Sequence, residues 1–243
     1  MAVDAIAHLA AGSRLVRHGR GDTLFRVGEP CNEFFITVFG QIKLFALSSA
    51  GREKVFELVG PGMSFAEAPM FAGGVHRVSA QALADTLLLL VNKPAVLDTI
   101  ARDPGFALRM LGNLSRRLHR LMDDVEAYAL HSGLRRVADY LLAELQRCGP
   151  AAQQVALPVS KATIALRLSL TPEYCSRVLH QLESDGLIRI DKRSITIASP
   201  ECLRAYSSIE PGAPAPRCPR GECVHRASHA QRAALSATSP PSV

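Results

Sequence analysis

Residues 168–188 read LSLTPEYCSRVLHQLESDGLI. Thr171 suits an N-cap, where its hydroxyl can accept from an orphan N–H of the first turn, and Pro172 suits the first helical position. Gly186 supplies a stop, because glycine enters the left-handed region at little cost. At 100° per residue, Cys175, Val178, Leu179 and Leu182 share one face, and Glu173, Ser176, Arg177 and His180 share the opposite one. Taken alone, this is an amphipathic helix with a solvated polar side.

Its neighbours give that polar side a context. Upstream, LRRVADYLLAELQR at 134–147 is another amphipathic helix. After Gly149-Pro150, SKATIALRL begins a short helix with Ser160 as its cap and Ile164 and Leu168 pointing inward. Downstream, LIRI and SITIA read as two strands around a turn at 191–193. Helix, turn, helix and β-hairpin is the order of a winged helix-turn-helix, whose second helix enters the major groove of DNA. There Arg177 can fork two donors onto O6 and N7 of guanine, Glu173 can accept from N4 of cytosine, and Ser176 can serve either kind of group. Ser160, Lys161 and Thr171 stand at helix starts and Lys192 and Arg193 at the wing, positions suited to phosphates. The polar face is therefore expected to read double-stranded DNA.

Moving toward the N-terminus, residues 104–130 have no proline after Pro104. Leu111, Leu114, Leu118, Leu121, Val125 and Tyr128 follow one another at spacings of 3, 4, 3, 4 and 3. That is a heptad seam, and it predicts a homodimer helix; a helix packed on its own domain would also need an apolar stripe. Residues 21–92 instead carry short apolar runs, EFFITVF, QIKLFAL, KVFELV, SAQAL and TLLLLV, punctuated by Gly28, Pro30, Gly40, Gly51, Gly60, Gly62, Gly73 and Gly74. Several short strands with turn signals predict a sandwich, barrel or β-roll. A metal-dependent oxygenase on such a roll needs several converging histidines, and residues 21–92 hold only His76, so no enzyme is expected.

The whole chain bounds these readings. With 243 residues, 48% of them hydrophobic, there is material for one or two domains with real cores. No apolar run is long enough to span a bilayer, and the N-terminus lacks the basic-then-apolar order of a secretory signal, so no membrane partner and a cytoplasmic location are expected. Six widely spaced cysteines do not form a disulfide framework. The net charge of +6 is unevenly placed: residues 1–100 balance nine Lys/Arg against nine Asp/Glu, whereas residues 132–200 set nine against six. The excess lies where the reading helix lies, which suits a polyanionic partner. From residue 207 the composition shifts to Pro, Ala, Ser, Arg and His, which predicts a disordered tail. Its Cys218, Cys223, His225 and His229 are spaced C-x4-C-x-H-x3-H, off the usual zinc-finger spacings.

From Gly21 to Tyr206 the chain resembles the Crp/Fnr family of transcription regulators. The resemblance rests on the glycine-punctuated β segment, FAEAPMF, the long heptad helix and the E-x-x-S-R pattern of Glu173, Ser176 and Arg177. It implies an α+β architecture: an effector-sensing β-roll of the cyclic-nucleotide-binding kind over 1–103, a dimerisation helix over 104–131, a winged helix-turn-helix over 132–206 and a tail over 207–243. It also implies a TTGA-containing palindrome as target. RNA polymerase is implied as a partner, met through loops near residues 147–154 and 49–54.

The departures bear on the effector. No cysteine precedes Cys31, so the iron–sulfur cluster of the Fnr oxygen sensor is not expected. Against the phosphate-binding segment of the cyclic-AMP receptor, Glu67 and Arg77 match, but Ala66 stands for its glycine and Val78 for its hydroxyl residue. Leu121 and Met122 stand where that family member offers a hydroxyl pair to adenine. Each lost hydrogen bond removes about 0.5–1.5 kcal/mol, which disfavours a cyclic nucleotide. SFAEAPMF and NLSRRLHRLMDDVE are similar to the Dnr branch, regulators of nitrate respiration and denitrification. That resemblance implies nitric oxide sensing through a b-type haem in an apolar cavity. His8, His18, His76, His119, His131 and His180 are all candidate ligands, and none has a diagnostic spacing.

Overall fold

The computed structural model describes residues 9–150 and 152–207. They form two units that divide in the chain between residues 129 and 130. The long heptad helix thus belongs almost wholly with the β domain.

The first unit is a roll of eight strands: β1 (Ser13–His18), β2 (Thr23–Phe25), β3 (Glu33–Phe39), β4 (Ile42–Leu47), β5 (Glu53–Val59), β6 (Ser64–Phe65), β7 (Ser79–Ala82) and β8 (Thr86–Asn92). They pair into two sheets, of order β1-β8-β3-β6 and β2-β7-β4-β5, and every pairing is antiparallel. Alternation sorts the side chains: along β8, Thr86, Leu88 and Leu90 are buried, whereas Leu87 and Leu89 are half-buried. The core between the sheets is aromatic, with Phe25 and Phe35 centroids 5.4 Å apart and Phe35 and Phe65 4.9 Å apart. The five apolar runs read from the sequence became strands. β1, β2 and β6 were not read. β2 and β6 are too short for a period to show, and β1 mixes Arg14, Arg17 and His18 with its apolar residues.

FAEAPMF straddles a strand end and a single helical turn, α1 (Glu67–Phe71), entered through Ala66 at φ 68°. α2 (Lys93–Arg102) follows, with Asn92 accepting from the Ala95 N–H as its cap. α3 (Pro104–Leu130) then runs for 27 residues, about 40 Å of helix. Met110 is its one buried residue. Leu111 is 58% exposed, Leu118 58%, Leu121 40% and Val125 65%, so the roll of its own chain leaves the seam uncovered. Tyr128 departs from the expected row. It is half-buried, and Lys54 on β5 donates to its hydroxyl at 2.8 Å with Nζ 4.0 Å from the ring centroid.

The second unit comprises α4 (Gly133–Arg147), β9 (Gln154–Ala156), α5 (Lys161–Arg167), α6 (Pro172–Ser184), β10 (Ile188–Asp191), β11 (Ser194–Ile197) and α7 (Pro200–Ser207). The strands form one sheet of order β10-β11-β9. Val137, Leu141, Ile164, Leu179, Leu182, Ile195 and Leu203, each 5% exposed or less, close a core beneath the helix pair α5 and α6. β9 and α7 were not anticipated: β9 buries only Val155, a signal one residue long. The residue named as the start of the tail, Ser207, ends α7; the remaining tail, with Cys218, Cys223, His225 and His229, lies outside the described residues. No helix among the described residues is long and apolar enough to cross a membrane.

Candidate nucleic-acid interface

The local chemistry of 168–188 folds as its residues dictate. Thr171 caps α6 by accepting from the Tyr174 N–H at 3.2 Å, Pro172 opens the first turn, and Gly186 leaves the helix at φ 73°. Cys175, Val178, Leu179 and Leu182 are buried. Burial pushes the Cys175 thiol pKa up, so this cysteine is a core residue and not a nucleophile. On the other side Glu173 and Arg177 are exposed and Ser176 is half-buried. His180 is exposed beside Glu183, at 3.7 Å. The residues expected to read bases are brought together on one face of α6, with Glu173 and Arg177 exposed.

Two further residues belong to this face or support it. Tyr174 is 36% exposed, and its ring centroid lies 5.5 Å from the Arg177 guanidinium carbon. Its i, i+3 spacing to Arg177 was readable in the sequence. Tyr206 of α7 donates to Asp185 at 2.6 Å and accepts from Gln181 at 3.0 Å, tying down the end of α6. That link joins residues 21 or more positions apart and has no local sequence signal.

The phosphate candidates divide. Ser160 caps α5 by accepting from the Thr163 N–H at 3.1 Å, as expected, and Lys161 begins the helix half-buried. Lys192 is exposed at the wing turn at φ 53°. Arg193 does not stand free there: its Nη2 donates to the carbonyls of Leu157 and Pro158 at 3.1 and 2.9 Å. A guanidinium carries five donors and finds orphan carbonyls readily, so Arg193 fastens the wing to the segment between β9 and α5.

The effector candidates are not gathered as the sequence suggested. Glu67 is buried at 5% exposure, Arg77 is exposed, and Leu121 and Met122 lie exposed on α3. Glu67 instead meets Arg117 of α3, which also pairs with Glu57 of β5; Arg120 lies 3.6 Å from Glu57. Two carboxylates of the roll are thus neutralised from the helix. In the sequence Arg117 and Arg120 merely flank the heptad positions, with no local signal for these partners. Of the histidines, His8 lies outside the described residues. His119 and His180 are exposed, and His18 and His131 are half-buried. His76 is 5% exposed and stacks on Phe25 with centroids 3.5 Å apart. Burial pushes its pKa below the ordinary imidazole value. Among the described residues no three His, Cys, Asp or Glu converge on one point.

Comparison with known proteins agrees with this layout. Residues 15–103 match the cyclic nucleotide-binding domain family model, and residues 135–206 match the Crp-like helix-turn-helix domain. Together the two matches take in more than half of the chain, in the order that the structure shows. The chain belongs to the Crp/Fnr family of transcriptional regulators. It is 28% identical over 202 residues to the CRP-like cAMP-activated global transcriptional regulator of Mycobacterium tuberculosis, covering 82% of this chain and 90% of that one. It is 29% identical to the nitrogen fixation regulation protein FixK of Rhizobium meliloti, covering 80% and 88%. The structure of FixK2 from Bradyrhizobium japonicum superposes with a TM-score of 0.73 at 25% identity, over 82% of this chain and 99% of that one. A Crp/Fnr regulator binds DNA and is not an enzyme.

Proposed function

We propose that the protein is a homodimeric transcriptional regulator that reads a TTGA-containing palindrome and is switched by nitric oxide on a bound haem, in the service of nitrogen-oxide respiration. The observation that carries the DNA half is the open face of α6, with Glu173, Ser176 and Arg177 on one turn above a buried apolar face. Arg177 pairs with guanine, Glu173 with cytosine, and Ser176 with an adjacent base edge. Ser160, Lys161, Thr171 and Lys192 hold the phosphates on either side. The uncovered α3 seam supplies the second copy, and a palindrome mirrors the resulting two-fold axis. RNA polymerase is the partner of the bound dimer.

The effector half rests on the Dnr-like segments and on the changed nucleotide contacts. His76 is the one buried candidate ligand, with its pKa lowered by burial, but it stacks on Phe25 in the roll core, whereas Leu121 and Met122 lie exposed on α3, so haem binding would require these groups to be brought together. Bound haem would supply the iron that takes up nitric oxide. The chain's part is to favour one dimer state: an effector shifts the equilibrium only by its differential affinity for the two states. A cyclic nucleotide is the second reading, favoured by buried Glu67 at the start of α1 and by the cAMP-activated relative.

Arg177→Ala tests the DNA half. A bidentate guanine contact carries about 1–3 kcal/mol of discrimination, so the ratio of palindrome to scrambled-site affinity at one salt concentration should fall by one to two orders of magnitude. An unchanged ratio removes the assignment. The absorption spectrum of haem-reconstituted protein, with and without nitric oxide, tests the effector. A Soret band that shifts with the gas supports haem; saturable cyclic AMP binding without haem uptake supports the second reading.

A further inference from the structure

We infer that Tyr174 is a positioning residue for DNA recognition: its ring, seated on Gly133 at the start of α4, holds the Arg177 guanidinium ready for the base. This rests on the base-reading role given to Arg177 above.

Two independent features converge on the ring. The first is the Arg177 guanidinium carbon, 5.5 Å from the centroid and within reach of a cation–π attraction. The second is its seat. Gly133 is buried, and a Cβ added there would overlap Tyr174 Cε1 and come within 3.0 Å of Leu170 Cδ2. Gly133 is absent from the positive-φ glycines, so the backbone does not require glycine there. Glycine is also a poor helix former, and Ser132 already caps α4 by accepting from the Arg135 N–H. The glycine therefore has a packing reason: it leaves the space that the ring fills. Tyr174 is packed against Gly133 and lies within cation–π range of Arg177.

The chemistry follows from the length of arginine. A free arginine side chain samples many rotamers and loses that freedom when it grips a base. A ring at i−3 narrows the set before DNA arrives, which is preorganisation. It adds no charge, so its effect should fall on discrimination more than on general polyanion affinity.

The test uses full-length protein and six variants, read as the ratio of affinities for the TTGA palindrome and a scrambled duplex, together with the salt dependence of each. Tyr174→Phe keeps the π face and should keep the ratio. Tyr174→Leu keeps apolar bulk on Gly133 but removes the π face, and should lower the ratio about two- to fivefold per half-site, the worth of an exposed cation–π contact. Its salt slope should not change. Gly133→Ala should lower the ratio similarly by displacing the ring, and should add nothing in a Tyr174→Ala background. Thermal unfolding of each variant separates misfolding from lost recognition, and Tyr174→Leu is the variant chosen to fold. If Tyr174→Leu keeps the wild-type ratio while Arg177→Ala loses it, the positioning role is overturned and the base-reading role stands. If Arg177→Ala also keeps the ratio, both fall.

Discussion

Arg117→Met should unfold the β-roll at a markedly lower temperature. Arg117 reaches from α3 to two carboxylates, with Nη1 3.5 Å from Glu67 Oε2 and Nη2 on Glu57 Oε2. The side chains are 22%, 6% and 16% exposed for Arg117, Glu67 and Glu57, so water screens the cluster poorly. At 3.5 Å and an effective dielectric near 20, one such pair attracts by about 5 kcal/mol, much of it offset by the desolvation of both ions. Removing one partner does not restore that desolvation. It leaves Glu67, 6% exposed, without its guanidinium while Glu57 keeps Arg120 at 3.6 Å, and such losses cost about 3–5 kcal/mol at buried sites. The remaining exposure of Arg117 and Glu57 favours the lower end, about 3 kcal/mol. For a unit that ends at residue 129 each kcal/mol moves Tm by roughly 4 °C, so calorimetry at neutral pH should show a drop of about 12 °C. Glu67→Gln in the Arg117→Met background should recover part of the loss by removing the more buried charge. A Tm within about 2 °C of wild type for Arg117→Met would refute the reasoning, because the cluster would then behave as a screened surface pair.

The other expectations are narrower. Leu118→Glu places like charges opposite each other at the middle of the seam; sedimentation should show a monomer and palindrome binding should vanish, whereas an intact dimer would move the interface off α3. His76 is kept neutral by burial, so the unfolded chain takes up its proton near the ordinary pKa of 6.5 before the native chain does. Its stabilising effect is full above pH 6.5 and declines as pH falls below that value. His76→Phe, which keeps the stack on Phe25, should flatten this acid slope in urea midpoints; an unchanged slope would show that His76 does not cause it. Lys192→Ala at the wing should weaken palindrome and scrambled DNA alike and reduce the slope of log affinity against log salt by about one; a selective effect on the palindrome would contradict a phosphate role.

The sequence by itself determined the parts of this protein that depend on local geometry. A cap, a proline and a glycine bounded α6. Periodicity of 3.6 put Cys175, Val178, Leu179 and Leu182 inside, and left Glu173, Ser176 and Arg177 outside. The same period placed the α3 seam, and alternation placed five of the eight strands of the roll. These signals are legible because helix and strand repeats act between residues two to four positions apart. Tertiary structure decided what depends on distant parts of the chain meeting. It paired Arg117 with Glu57 and Glu67, bonded Nη2 of Arg193 to the carbonyls of Leu157 and Pro158, and drew Tyr128 to Lys54. It also seated Tyr174 on Gly133, 41 positions away in sequence, and stacked His76 on Phe25. A charge or a ring takes whichever partner the packed core brings within a few ångströms, and no periodicity in one sequence encodes which partner that is.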